Sequence, residues 1–194
     1  MIETPRLTLR PWRGDDREAF AAINGDPRVN EWLGGPISAE QSHATMDRLQ
    51  AQIAADGFGF WAAERRSDRR LVGMIGLRSQ AGGPAPSGLE LGWRLDPEAQ
   101  GSGLATEGAK AALDWGFATH HAEEILAWTA ATNVRSQAVM QRIGMTPDPG
   151  RDFDHTGLAE THPLRRHVVF AVRRPAGRQT GLRHLNPSAP SARS

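Results

Sequence analysis

The central part of the chain reads Leu89-Glu90-Leu91-Gly92-Trp93-Arg94-Leu95, then Asp96-Pro97, and shortly afterwards Gln100-Gly101-Ser102-Gly103-Leu104-Ala105. The first run alternates in polarity with period two, which predicts a half-buried strand carrying Glu90, Gly92 and Arg94 on one face. The aspartate and proline end that strand. Apolar residues at helical spacing continue from about residue 103 to 118, so a helix is expected to begin directly at the second glycine.

The two glycines, Gly101 and Gly103, stand immediately before the predicted helix. Glycine adopts positive φ angles and lets the backbone approach a ligand closely. The first amides of a helix lack helical partners, and together with the helix dipole they favour an anion such as a diphosphate. A plain tight turn is the other interpretation. The stretch has neither the Lys-Ser/Thr of a Walker A loop nor the spacing of the dinucleotide-binding fingerprint.

Upstream of this stretch, the pattern predicts strands and two helices. Alternation over residues 6–10 predicts a strand. Asp15 with Glu18, and Ser38 with Gln41, have the spacing of a capping box, so each pair predicts the start of a helix. The sequence then predicts two strands joined by a charged turn, at residues 58–65 and 71–78.

Downstream of the glycines, a strand at residues 125–129 precedes a helix at about 134–143, with Asn133 as its N-cap and Gly144 at its end. A last strand covers residues 168–172. Hairpin strands followed by a strand–helix–strand–helix–strand series predict one mixed α/β domain. We assign residues 1–174 to that domain and the proline-, serine- and arginine-rich residues 175–194 to a C-terminal tail.

The composition excludes several classes of chemistry. The chain has 194 residues, of which 39% are hydrophobic and 23% charged, and it contains no cysteine and no tyrosine. Disulfides, thiolate metal sites, a cysteine nucleophile and a phenolic acid are therefore excluded. No apolar run is long enough to cross a membrane, and the N-terminus lacks signal-peptide character, so no membrane partner and a cytoplasmic location are expected.

The charge distribution argues against a nucleic-acid partner. After Glu160 the chain has seven arginines and no acidic residue. A nucleic-acid-binding protein is expected to carry its basic patch on the folded body, whereas part of this surplus lies in the tail. Nucleic acid is therefore not expected as a partner.

Four motifs, in the right order along the chain, resemble those of one known family. The string Gln-x-x-Gly-x-Ala-Thr-Glu at residues 100–107, preceded by Glu-x-Gly-Trp-x-Leu, resembles the acyl-CoA-binding motif of the GNAT superfamily of N-acetyltransferases. The string Asn133-x-x-Ser136-x-x-x-Met140-x-x-x-Gly144-Met145 is similar to the distal signature of its RimJ/RimL branch, which acetylates protein N-termini and other amines. The opening residues Glu3-Thr4-x-Arg6-Leu7-x-Leu9-Arg10 are similar to that branch as well. The resemblance covers about residues 2–173.

The resemblance implies a GNAT fold, in which a central, mostly antiparallel sheet is flanked by helices and splayed open between the strands at 89–95 and 125–129. The pantetheine arm of acetyl-CoA enters the splay and adds its amides to the first strand near Trp93, Arg94 and Leu95. The pyrophosphate is expected to contact the loop formed by Gln100, Gly101, Ser102, Gly103, Leu104 and Ala105. Asn133 is expected to hydrogen-bond the pantetheine and Ser136 to lie near the sulfur. Without the resemblance, these two residues are a helix cap and a solvated helix residue.

The residues themselves offer one candidate general base and one candidate donor to the leaving group. Glu90 lies on the strand beside the splay and is the preferred base, although a salt bridge to Arg94 is an alternative role. Without tyrosine, Ser136 is the candidate hydrogen-bond donor to the departing thiolate. A strand amide near Trp93 is the candidate for stabilising the oxyanion.

The expected function is direct acetyl transfer from acetyl-CoA to a primary amine in a ternary complex, with a protein or peptide N-terminal α-amine as the acceptor. A small-molecule amine, such as a polyamine or an antibiotic, is the alternative acceptor. A non-catalytic acyl-CoA-binding regulatory module is the alternative from another class. No metal is expected, because Asp152, Asp154, His155 and His162 lack a recurrent ligand spacing. A homodimer is compatible with the resemblance.

Overall fold

The computed structural model describes residues 1–32 and 34–174, and the predicted tail at 175–194 lies outside them. The described residues form nine strands, namely β1 (Ile2–Glu3), β2 (Leu7–Arg10), β3 (Phe60–Arg65), β4 (Arg70–Gln80), β5 (Gly88–Leu95), β6 (Glu124–Ala130), β7 (Thr146–Pro147), β8 (Phe153–Asp154) and β9 (Arg166–Arg173). The same residues form five α-helices, namely α1 (Asp16–Gly25), α2 (Pro27–Asn30), α3 (Ala39–Asp56), α4 (Leu104–Thr119) and α5 (Val134–Arg142). The predicted mixed α/β fold is confirmed.

One sheet contains all of these strands, in the order β1-β2-β3-β4-β5-β6-β9-β7, with β8 against β9. Neighbouring strands from β1 to β5 are antiparallel, and so are β6 and β9. The central neighbours β5 and β6 are parallel and pair at a single position, Glu90 with Leu126. The sheet therefore consists of two antiparallel halves that meet at one residue pair, which confirms the predicted splay.

Each face of the sheet buries its own apolar cluster, because successive strand residues point to opposite sides. Trp61 and Leu91 belong to the cluster under α4, whereas Phe60 belongs to the cluster under α1 and α3. Two glycines let α4 lie close to the sheet: a Cβ atom at Gly108 would stand 2.4 Å from Ile75 Cδ1. A Cβ atom at Gly116 would stand 2.7 Å from Leu77 Cδ1.

The helix boundaries agree with the sequence, including Asp15 as the N-cap of α1, whereas the short helix α2 was not predicted. Ser38 and Gln41 form the predicted reciprocal capping box of α3. The predicted Asp15–Glu18 box is wrong, because Asp15 has helical backbone angles and its side chain caps nothing in the described structure. The neighbouring carboxylate of Asp16 is buried instead. It accepts two hydrogen bonds from the guanidinium of Arg10, at 2.7 and 2.8 Å. A charged, bidentate partner binds a carboxylate more strongly than a backbone amide does.

We expect Asp16→Ala to destabilise the protein by about 3–5 kcal/mol, because it leaves the guanidinium of Arg10 buried beside only Glu64. The unfolding midpoint in urea measures the loss. Asp47→Ala is the matched control, since it removes a carboxylate from an exposed ion pair with Arg17 and exposed pairs contribute little. Equal midpoints for the two variants would contradict the structural role of Asp16.

Candidate functional site

A gap opens between β5 and β6 beyond the pair Glu90–Leu126. From that point β5 stays paired with β4 as far as Leu95 opposite Gly73. β6 stays paired with β9 as far as Ala130 opposite His167. The side of β5 that faces the gap is therefore an internal strand edge. Such an edge offers backbone donors and acceptors to an extended ligand.

The loop between β5 and α4 lies at the end of this gap and is fixed by its own side chains. Gln100 Nε2 donates to the carbonyl of Leu95 at 3.0 Å, and Ser102 Oγ donates to the carbonyl of Ala99 at 2.7 Å. Both polar side chains therefore have partners within the loop. The groups of this loop that remain available to bind a ligand are therefore those of the backbone.

The two glycines of this loop adopt positive φ angles, the conformation expected of them from the sequence. Gly101 and Gly103 have φ angles of +73° and +84°. Gly103 is the N-cap of α4, and the Glu107 amide donates to the Gly103 carbonyl at 3.0 Å. The amides at the three preceding helix positions, which include Leu104 and Ala105, have no acceptor one turn earlier in the helix. They carry the positive end of the helix dipole.

Glu90 is 8% exposed and lies where the two strands still pair. Its Oε2 accepts a hydrogen bond from Arg78 Nε at 2.5 Å. Arg78 lies directly opposite on β4, so this cross-strand contact replaces the predicted alternative of a salt bridge to Arg94. Burial raises the pKa of Glu90 above its ordinary value, although the charge of Arg78 and its hydrogen bond act in the opposite direction.

Arg94, on the same face of β5, connects the strand to the helices above it. Its Nη1 donates to Asn24 Oδ1 at 2.6 Å, and burial lowers its pKa. Asn24 is fully buried, and its Nδ2 donates to Ser42 Oγ at 2.8 Å. The Asn24 carbonyl accepts from Asn30 Nδ2 and from the Ile37 amide. Sequence reasoning missed Asn24, since no local pattern distinguishes it from a surface helix residue.

Asn133 and Ser136 lie beyond the end of β6. Because β5 and β6 are parallel, this is the same edge of the sheet as the glycine loop. Asn133 is 6% exposed and caps α5 by accepting from the Ser136 amide at 3.2 Å. Its Nδ2 donates to Thr129 Oγ1 at 2.9 Å and to Ser136 Oγ at 3.1 Å. The predicted cap is confirmed. Ser136 Oγ, as an acceptor in this contact, keeps its own hydrogen free to donate. The contacts of both residues with pantetheine and sulfur stay predictions.

The acidic and histidine residues near β8 have structural partners. Asp152 Oδ1 accepts from the Val169 amide at 2.9 Å, and its Oδ2 pairs with Arg166. The ring of His167 stacks on Phe153, with 5.0 Å between the centroids. Across residues 1–32 and 34–174, no three histidine or carboxylate side chains are grouped so that they could hold a metal ion.

Comparison with known proteins identifies the domain. The family model described as "Acetyltransferase (GNAT) domain" matches residues 6–146. The chain is 28% identical over 145 residues to "Uncharacterized N-acetyltransferase YnaD" of Bacillus subtilis, which covers 74% of this chain and 81% of that protein. It is also 28% identical to a crystal structure of an acetyltransferase from Agrobacterium tumefaciens, with a TM-score of 0.72, covering 89% of this chain and 94% of that one.

Two further structures share the fold at lower identity. The ribosomal-protein-S5-alanine acetyltransferase of Vibrio fischeri is 15% identical, with a TM-score of 0.69, over 88% of this chain and 94% of that one. The spermidine N-acetyltransferase of Vibrio cholerae was solved with CoA and spermine. It is 16% identical, with a TM-score of 0.68, over 88% of this chain and 96% of that one. In the described part of the chain, no helix is long and apolar enough to span a membrane.

We expect Arg78→Gln to raise the pKa of Glu90 further, because it removes the cation that opposes the effect of burial. A ¹³C NMR titration of the glutamate side-chain carboxyl carbons measures this pKa. The control is Arg13→Gln, which removes an exposed arginine paired with Glu64 and should leave the titration of Glu90 unchanged. A lower or unmoved pKa in Arg78→Gln would mean that Arg78 does not govern the charge of Glu90.

Proposed function

The chain belongs to the GNAT acetyltransferase family, and from this premise we propose that it acetylates the N-terminal α-amine of a protein or peptide. The acetyl donor of the family is acetyl-CoA, and the acceptor is an amine. The observation that carries the proposal is the gap between β5 and β6, which ends at the unpaired amides of α4. A strand edge followed by an anion site matches the order of pantetheine and pyrophosphate in coenzyme A.

In this proposal the donor lies along β5. The pantetheine amides bond to the strand edge near Trp93, Arg94 and Leu95. The pyrophosphate is held by backbone amides of the loop from Gln100 to Ala105. The two glycines suit this role because their positive φ angles turn the backbone toward a ligand with no side chain in the way.

The protein then contributes three things to acetyl transfer: a general base, stabilisation of the oxyanion and a hydrogen bond to the leaving thiolate. The neutral amine attacks the thioester carbon, and its proton passes to Glu90, directly or through a water molecule. The oxyanion is stabilised by a backbone amide near Trp93. The carbon–sulfur bond breaks, and Ser136 donates a hydrogen bond to the departing thiolate. A thiolate with a pKa of about 8.5 leaves without full protonation, so the absence of tyrosine does not prevent the reaction.

The preference for an α-amine follows from how readily each acceptor amine loses its proton. At neutral pH an α-amine, with a pKa of about 7.7–8.0, is neutral in about a tenth of molecules, whereas a lysine-type amine is neutral in about one of a few thousand. A carboxylate ion-paired with Arg78 suits the first acceptor better than the second. A polyamine is the second candidate, because one structure with this fold is a spermidine N-acetyltransferase.

The test compares short peptides, spermidine and aminoglycosides as acceptors, by following release of the free thiol from acetyl-CoA. We expect acetylation of peptide N-termini. Turnover of spermidine or an aminoglycoside alone would exclude the peptide proposal. Binding of CoA without turnover of any amine would favour the non-catalytic module.

We expect Glu90→Gln to lower kcat at least about 10²-fold, the contribution typical of a general base, while the Kd for CoA stays the same. Glu123→Gln is the control, because Glu123 is an exposed carboxylate in the turn before β6, and it should keep full activity. Undiminished turnover in Glu90→Gln removes Glu90 from the mechanism.

A further inference from the structure

Glu107, in the first turns of α4, binds the N-terminal segment of the chain. Its Oε1 accepts from Thr4 Oγ1 at 2.6 Å and from the Arg6 amide at 2.8 Å, and its Oε2 accepts from Arg6 Nε at 2.6 Å. The Glu107 side chain is 17% exposed. Burial raises its pKa, but the hydrogen bonds from Thr4 and Arg6 outweigh burial and the net pKa is lowered. One carboxylate thus uses both oxygens to join Thr4 and Arg6, in the turn between β1 and β2, to α4.

Arg6 extends this contact to the glycine loop. Its Nη1 donates to the carbonyl of Ser102 at 2.8 Å, and Ser102 lies between Gly101 and Gly103. The Ser102–Gly103 peptide bond is trans. The carbonyl of Ser102 and the amide of Gly103 therefore lie in one plane and point in opposite directions. By holding the carbonyl toward β2, Arg6 directs the Gly103 amide away from β2.

The loop needs such an anchor because of its two glycines. Glycine loses more conformational freedom on folding than any other residue. A loop that must order itself around a ligand uses part of the binding free energy for that ordering, whereas an ordered loop does not. Arg66 supports the anchor from the neighbouring strand end, since its Nη1 donates to the Thr4 carbonyl at 2.7 Å and its amide donates to the Arg6 carbonyl at 2.9 Å.

We propose that Thr4, Arg6 and Glu107 are positioning residues that hold the glycine loop in the form that binds the pyrophosphate of acetyl-CoA. We call these three residues the loop anchor. The proposal rests on the proposed function, in which this loop receives the pyrophosphate. The proposal thereby gives the N-terminal strand pair, β1 and β2, a role in ligand binding. This pair lies at the opposite edge of the sheet from β9 and β7.

The test measures the affinity of the full chain for CoA and for pantetheine by isothermal titration calorimetry. Pantetheine lacks the nucleotide and its pyrophosphate, so it does not use the loop. For Arg6→Ala we expect about tenfold weaker binding of CoA, the loss typical of a charge-assisted hydrogen bond, with unchanged affinity for pantetheine. Glu107→Gln and Thr4→Val should likewise weaken the binding of CoA relative to the binding of pantetheine.

Lys110→Ala is the matched control, because Lys110 lies one turn further along α4 in an exposed pair with Asp114. It should leave both affinities unchanged. A thermal melt checks that each variant is folded, and because the Arg6 side chain is 50% exposed we expect its replacement to leave the fold intact. Equal losses for CoA and pantetheine, or no loss for either, would overturn the loop anchor. If the unmodified chain binds neither ligand, the proposed function itself fails.

Amide hydrogen exchange gives a second measure that does not depend on affinity. We expect faster exchange at the Gln100 and Glu107 amides, whose acceptors are the carbonyls of Pro97 and Gly103, in Arg6→Ala than in the unmodified chain, because the glycine loop is no longer held. Lys110→Ala should leave their exchange unchanged. Unchanged exchange in Arg6→Ala would show that the loop keeps its order without Arg6, which contradicts the proposal.

Discussion

The single parallel pair between Glu90 and Leu126, where β5 and β6 meet, sets the position of the gap and of the elements on either side of it. β5 and β6 stay in place beyond this pair because each has a full antiparallel partner on its other side. The chain passes from one strand to the other through α4, which begins at the C-terminal end of β5. Parallel direction therefore brings the α4 N-terminus and the Asn133 cap to the same edge, one on each side of the gap.

The two faces of the sheet differ in chemistry near this gap. The face under α4 is apolar beside β5, with Leu91 in its main cluster. The opposite face carries Glu90, Arg78 and Arg94, which are connected to α1 through Asn24. Burying the charge of Glu90 costs folding free energy, and carboxylates with a raised pKa are frequent at functional sites. Because the proposed base lies on the face of α1 and α3, the proposed function places the amine acceptor on that face.

The features that the sequence predicted correctly depend on neighbouring residues. The alternation in β5, the glycine pair and the caps at Ser38 and Asn133 each involve residues within a few positions of one another. The features that it missed depend on contacts across the chain. Arg6 and Glu107 are far apart in sequence, as are Arg94 and Asn24, and only the sheet brings them together. The capping box at Asp15 failed although its residues are neighbours, because Asp15 has helical backbone angles and the adjacent carboxylate of Asp16 pairs with Arg10, six residues away.

Burial and Arg78 act in opposite directions on the carboxylate of Glu90, and both effects suit the proposed base. Desolvation makes a carboxylate more basic, so it accepts a proton more readily. A neighbouring arginine keeps the group ionised and fixes the direction of its oxygens. Because Arg78 is opposite Glu90 on an antiparallel ladder, backbone pairing sets this balance before any substrate binds. The surroundings of the proposed base are therefore set by the sheet register, and a shift of β4 against β5 by one residue would separate Glu90 from Arg78.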